Sequence, residues 1–224
     1  MTETAPQTGA ATERAPRPAT ARPPKARPTA RPPRKPNPVL ERLFELYPKM
    51  FGARFLPLKL GAYQDLLAAH AEEFKKEDLK LALGLHARST RYLESVATGE
   101  KRHDLQGEPV EDVAPEHVHH AIMEVMRRRL ARGQVDAKPW ALARLVQAIE
   151  ASGLARQDYC ERVRTPDADS TALLDEAFAL LGAKNAKQEA LRSAYAASGK
   201  SVAEFAEMYG MDPGQVGRLL SSGA

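Results

Sequence analysis

Residues 79–105 read LKLALGLHARSTRYLESVATGEKRHDL, and the rest of the chain is read outward from them. Leu79, Ala82 and Leu83 fall on one side of a helix running from about Glu77 to His86, with Lys80 on the opposite, polar side. Gly84 is a weak point in that helix, costing about 1 kcal/mol relative to Ala unless close packing needs it. Ser89 and Thr90 restart the helical spacing, Tyr92, Leu93 and Val96 continue it, and Gly99 closes it. In KRHDLQGEPV, two short arms flank Gln106 and Gly107, which predicts a small β-hairpin. Lys80, Arg88, Arg91, Lys101 and Arg102 therefore share a short span with Tyr92, and cationic donors beside a flat ring are what phosphate and base-face recognition require.

Upstream, Asn37 followed by Pro38 is an N-cap with proline at the first helical position. Leu40, Leu43, Phe44 and Tyr47 then keep one buried face until Pro48. Residues 49–60 read as a turn and an extended apolar piece. Gly61 opens a helix, AYQDLLAAHAEEF, whose inner face is Tyr63, Leu66, Leu67 and Phe74. Downstream, Pro115 starts a long helix with Val118, Ile122, Val125 and Met126 as its inner stripe, and Arg127 to Arg129 lie at its C-terminal end, where the dipole favours cations.

Residues 132–138, RGQVDAK, carry little apolar content and read as a linker. Beyond them, 139–224 is a helical C-terminal region. Trp140, Leu142, Leu145, Val146 and Ile149 predict a helix ending near Gly153, and Leu173, Leu174, Ala177, Phe178 and Leu181 predict another ending at Gly182. RTPDADS between them is a loop whose Asp and Ser can cap the second helix. At 201–222, Val202, Ala206, Gly210, Val216 and Leu220 have the spacing of a helix-turn-helix. An aromatic content of 6% with abundant Ala and Leu makes the whole mainly α, because strands draw on β-branched and aromatic residues.

Charge is unevenly spread. Residues 1–36 hold eight cations against two acids, so of the chain's net +4 they carry +6 and leave −2 for the rest. Their Pro, Ala, Thr and Arg repeats cannot bury a core, which predicts a disordered basic arm that neutralises phosphates without reading sequence. No apolar run reaches the roughly 18 residues that cross a bilayer, and Arg and Pro stand where a signal peptide has its apolar core. A cytoplasmic protein is the expectation. Cys160 is alone, which excludes an internal disulfide and four-Cys zinc sites.

Three pieces, PLKLGAYQDL at 57–66, the 79–93 segment ending RSTRYL, and KRHDLQGEPV followed by EHVHHA, resemble the ProQ/FinO domain in order and spacing across about residues 38–130. That family comprises bacterial RNA-binding proteins and RNA chaperones. The resemblance implies a compact helical domain at 37–131 with a small hairpin, and a concave pocket for the 3′ end of an RNA hairpin with its single-stranded tail. It also implies RNA contact by Lys59, Lys80, Arg91, Tyr92 and Arg102, with Tyr92 stacking on or hydrogen-bonding the terminal nucleotide. Arg88 and Lys101 join them as neighbouring cations. Gly84 stands where many members place Arg, His86 where an aromatic ring is common, and Thr90 where Trp is frequent. Arg88, four residues beyond Gly84, is positioned to replace the charge.

EHVHH at 116–120 invites a metal site, but His117 and His120 are three apart and no third ligand is evident, so no metal is expected. There is no P-loop, no G-x-S-x-G and no partnered Cys, so neither a catalytic residue nor a cofactor is expected. The expected partner is RNA, with no membrane and with a protein partner for the C-terminal region. The alternative is a DNA-binding regulator acting through 201–222, where Arg218 is opposed by Glu204, Glu207 and Asp212.

Overall fold

The computed structural model describes residues 1–2, 37–165 and 167–221; the basic arm expected at 1–36 lies almost wholly outside the described residues. Asn37 caps the first helix, α1 (Pro38–Leu46), its Oδ1 accepting from the backbone N–H groups of Val39 and Leu40 at 3.0 and 3.2 Å. Pro48 does not simply stop this run but opens a one-turn helix, α2 (Pro48–Phe51), which buries Met50 and Phe51. Gly61, at φ 87°, precedes α3 (Ala62–Ala69). This helix is shorter than the apolar pattern suggested: the backbone leaves helical geometry at His70, and a turn still delivers Phe74 to the core.

The opening stretch folds as its periodicity predicts. α4 (Lys76–Ala87) buries Leu79, Ala82 and His86. Ser89 then caps α5 (Thr90–Val96), accepting from the Tyr92 N–H at 3.2 Å. β1 (Arg102–His103) and β2 (Pro109–Glu111) form the expected antiparallel hairpin, with Gly107 at φ 84° in its turn. Residues 57–59 lie alongside it: the His103 N–H donates to Pro57 O at 2.7 Å and the Lys59 N–H to His103 O at 2.9 Å.

α6 (Pro115–Ala131) buries Val118, Ala121, Ile122 and Val125, and α7 (Ala137–Ser152) packs directly against it. Residues 132–136, expected within a linker, therefore form an exposed turn between two helices of one core, because the buried Ala137, Ala141 and Leu145 of α7 cover the α6 stripe. α8 (Arg156–Val163) was not legible in the sequence. It contributes one fully buried residue, Tyr159, and so has no repeating apolar signal.

α9 (Ala168–Ser198) is capped by Asp167, which accepts from Ser170 N–H at 2.8 Å. It runs through Gly182 instead of ending there. That glycine has no need of a left-handed backbone and lies in open space among good helix formers, whereas Gly199 adopts φ 61° and closes the helix. α10 (Val202–Tyr209) starts at a capping box made by Ser201 and Glu204, and Gly210 at φ 62° leads to α11 (Pro213–Ser221). Phe205, Ala206 and Val216 form a second small core with Leu191, Ala194 and Tyr195 of α9. The fold is mainly α with one small two-stranded sheet and a helical extension.

Candidate nucleic-acid interface

Two groups of the expected residues come together around Leu58. The Leu58 N–H donates to the Tyr92 hydroxyl at 3.0 Å, and the Leu58 carbonyl accepts from Arg102 Nη1 at 2.9 Å. Arg102 Nη2 lies 3.0 Å from His117 Nδ1, and since a guanidinium only donates, this nitrogen is the acceptor. Glu111 stands 3.9 Å from Arg102 Nε. The Arg102 fork is thus directed at the protein, and its side chain is only 12% exposed.

Tyr92 differs from the stacking residue the resemblance implied. Its ring is buried, 5.0 Å from His86, because its position in α5 falls on the inner face. Burial also raises its pKa. Neither face of the ring is open to a base; what Tyr92 does is hold the 57–59 segment in place.

His86 fills an aromatic slot. Its ring lies 4.7 Å from Phe51 and 4.5 Å from Phe55, and burial, with Arg91 nearby, lowers its pKa to about 4, so it is a neutral core ring. Arg91 spreads over Phe55 at 4.4 Å and donates to the carbonyls of Ala53 and Gly52. Lys59 pairs with Asp65 at 2.6 Å, which raises its pKa, and Lys101 is 3.7 Å from Asp112.

Lys80 and Arg88 stand apart from these. Both are exposed, Lys80 on α4 and Arg88 as its C-cap, and among the described residues neither side chain has an ion pair or a hydrogen bond. The junction beneath Arg88 is fixed by a residue that the sequence placed only as a cation at a helix end: Arg128 Nη1 donates to the Arg88 carbonyl at 2.9 Å and to Thr90 Oγ1 at 3.1 Å, while its Nε pairs with Glu124 at 2.7 Å. Arg128 and His117 reach partners 40 and 15 residues away, a link that local spacing does not carry.

The histidines of EHVHH diverge. His117 meets Arg102; His119 is buried near Tyr159, and burial, with His120 adding to the effect, lowers its pKa to about 4; His120 is exposed. Among the described residues no group of three His, Cys, Asp or Glu side chains is placed to hold a metal. No helix of the described residues is long and apolar enough to cross a membrane.

A family model described as ProQ/FINO family matches residues 34–138, the segment that contains Lys59, Lys80, Arg88, Arg91, Tyr92, Lys101 and Arg102. Over this segment, just under half of its length, the chain is similar to the ProQ/FinO family. It is similar to the RNA chaperone ProQ of Shewanella oneidensis, 34% identical over 134 residues that cover 58% of this chain and 61% of the relative. The RNA chaperone ProQ of Shewanella frigidimarina is 37% identical over 111 residues, covering 48% of this chain and 53% of the relative. The chain therefore spans between about half and two thirds of the length of these ProQ proteins. Among solved structures it matches a FinO-like RNA chaperone from Neisseria meningitidis, with 34% identity, a TM-score of 0.34, and coverage of 37% of this chain and 85% of that one. The matched ProQ/FinO segment ends at 138, so α8 to α11 lie outside it.

Proposed function

We propose that this chain is an RNA-binding protein of the RNA chaperone kind that takes structured RNA hairpins and their 3′ single-stranded ends and acts, in the cytoplasm, in post-transcriptional regulation by small RNAs. It works by binding, without turnover. The observation that carries the reading is the pair of unspent cations, Lys80 and Arg88, on one exposed face of a domain whose relatives are named RNA chaperones. Lys59, Arg91, Lys101 and Arg102 stand apart from that face and are held by protein partners, and the family likeness is what assigns them to RNA contact. RNA in A-form offers its backbone and shape rather than its base edges, which suits cations placed without a sequence-reading pattern.

Residues 1–36 supply the long-range term, an arm of eight cations that meets phosphates nonspecifically. Residues 37–131 carry the RNA contacts, and the α10–α11 pair is assigned to protein contact, since Arg218 is the one cation of 201–221. Crosslinking in cells followed by sequencing tests the reading. Reads gathered at the 3′ ends of hairpins are expected; reads spread evenly along transcripts, or promoter DNA enriched in their place, would count against it.

A further inference from the structure

Lys80 and Gly84 of α4 and its C-cap Arg88 are spaced four residues apart in helical geometry, so they form one row on its solvent side. The middle member has no side chain, and the Arg88 guanidinium occupies the room this leaves. A Cβ placed on Gly84 would lie 3.2 Å from Arg88 Nη2, 3.7 Å from Cζ and 3.8 Å from Nη1. Those similar distances describe a flat group laid over the glycine, one turn back toward Lys80, instead of extended into solvent. The backbone under it is fixed at both ends, by the Arg88 N–H donating to Gly84 O at 3.3 Å and by Arg128 on the Arg88 carbonyl at 2.9 Å. The Cα atoms of residues 80 and 88 lie about 12 Å apart along the axis, and folding back over Gly84 sets the guanidinium about one turn, roughly 6 Å, nearer to the level of residue 80.

We infer that Gly84 is a positioning residue, whose missing side chain seats the Arg88 guanidinium beside Lys80 so that the two form a clamp for the phosphodiester backbone of RNA. The inference rests on the RNA-binding reading above. A guanidinium that already lies over Gly84 before the ligand arrives has less rearrangement to make on binding, and its donors remain available for paired hydrogen bonds to phosphate oxygens. A side chain at 84 takes the space without touching any charge. The Arg88 end is flexible, so the helix tolerates the change while the guanidinium is displaced.

The test uses the full chain and a hairpin with a 3′ single-stranded tail, with affinity followed by fluorescence anisotropy over a range of salt. Arg88→Ala is expected to weaken binding about tenfold and to reduce the log-log salt slope by about 0.7 to 0.9, the loss of one phosphate contact. Gly84→Leu is expected to reproduce both effects although it removes no charge, and to raise the melting temperature, because glycine is the poorer helix former. In the double variant the Gly84→Leu change adds nothing further. An unaltered affinity and slope in Gly84→Leu, or additive losses in the double variant, overturns the clamp while leaving RNA binding in place. Failure of the unsubstituted chain to bind the tailed hairpin overturns the RNA-binding reading and the clamp together.

Discussion

Burial decides what His86 and His119 do with a proton. Each is held neutral, with a pKa of about 4, chiefly because a charged ring would lose its water inside the core. In the unfolded chain a histidine titrates near 6.5. Above that pH both states are neutral and stability is complete; as pH falls below it the unfolded state takes protons first, so stability drains away until about pH 4, by roughly 3 to 4 kcal/mol at most for each ring. Urea denaturation between pH 7 and pH 4.5 checks this, and His86→Phe, which keeps a ring among Phe51, Phe55 and Tyr92, is expected to flatten the dependence. Tyr92 and Arg102 are likewise residues whose effect should appear in stability. Tyr92→Phe leaves the Leu58 N–H without its acceptor and Arg102→Ala leaves the Leu58 carbonyl without its donor, each costing about 1 to 3 kcal/mol in thermal or chemical denaturation. A Tyr92→Phe variant that melts like the parent but binds RNA poorly would return the residue to the ligand. At this scale the sequence identified the residue types and the span they share. It could not tell Tyr92 from an exposed ring, because both readings keep the same helical spacing, and the burial of Tyr92 depends on Leu58, 34 residues away.

Elements with a strong local signal were legible in advance: α1 from Asn37–Pro38, α4 and α5 from their apolar period and the Ser89 cap, and the hairpin from Gln106–Gly107. Those that fell short lack such a signal or carry a misleading one. α8 presents a nearly all-polar surface with Tyr159 as its anchor, and Gly182 resembles a stop while doing nothing that requires glycine. A Cβ at 182 meets nothing within 4 Å. Gly182→Ala should therefore stabilise α9 by about 0.8 to 1 kcal/mol, read as a higher melting temperature. No gain, or a loss, would mean that the helix needs glycine there. The same substitution at Gly199 or Gly210, where φ is 61° and 62°, is expected to destabilise, since a Cβ is strained in that conformation.

For the whole molecule, the decisive fact is that the core does not stop where the family segment stops. Leu43, Leu66 and Ile122 belong to the same buried cluster as Leu145, Ile149, Tyr159 and Leu174. Truncation after Arg132 strips α7 to α9 from the buried stripe of α6, and a broader, lower melting transition by circular dichroism is expected; truncation after Gly199 removes only α10 and α11 and should leave the main transition in place. A sharp transition at the parent temperature after the first cut would show that α7 to α9 are a separate domain. Removing residues 1–36 takes away eight cations, so the salt slope of RNA binding should fall by several units of about 0.7 to 0.9 each while preference among RNAs is kept; titrations with two hairpins at several salt concentrations measure this. α9 belongs to both cores, the larger through Leu173 to Leu181 and the smaller through Leu191 to Tyr195, and between them residues 182–190 are exposed except for Gln188. A continuous helix crossing that gap works as a graduated axle. Each residue inserted or deleted there advances the α10–α11 pair by about 1.5 Å and turns it by about 100°, so the number of residues between the two cores, more than their identity, sets the direction in which that pair faces.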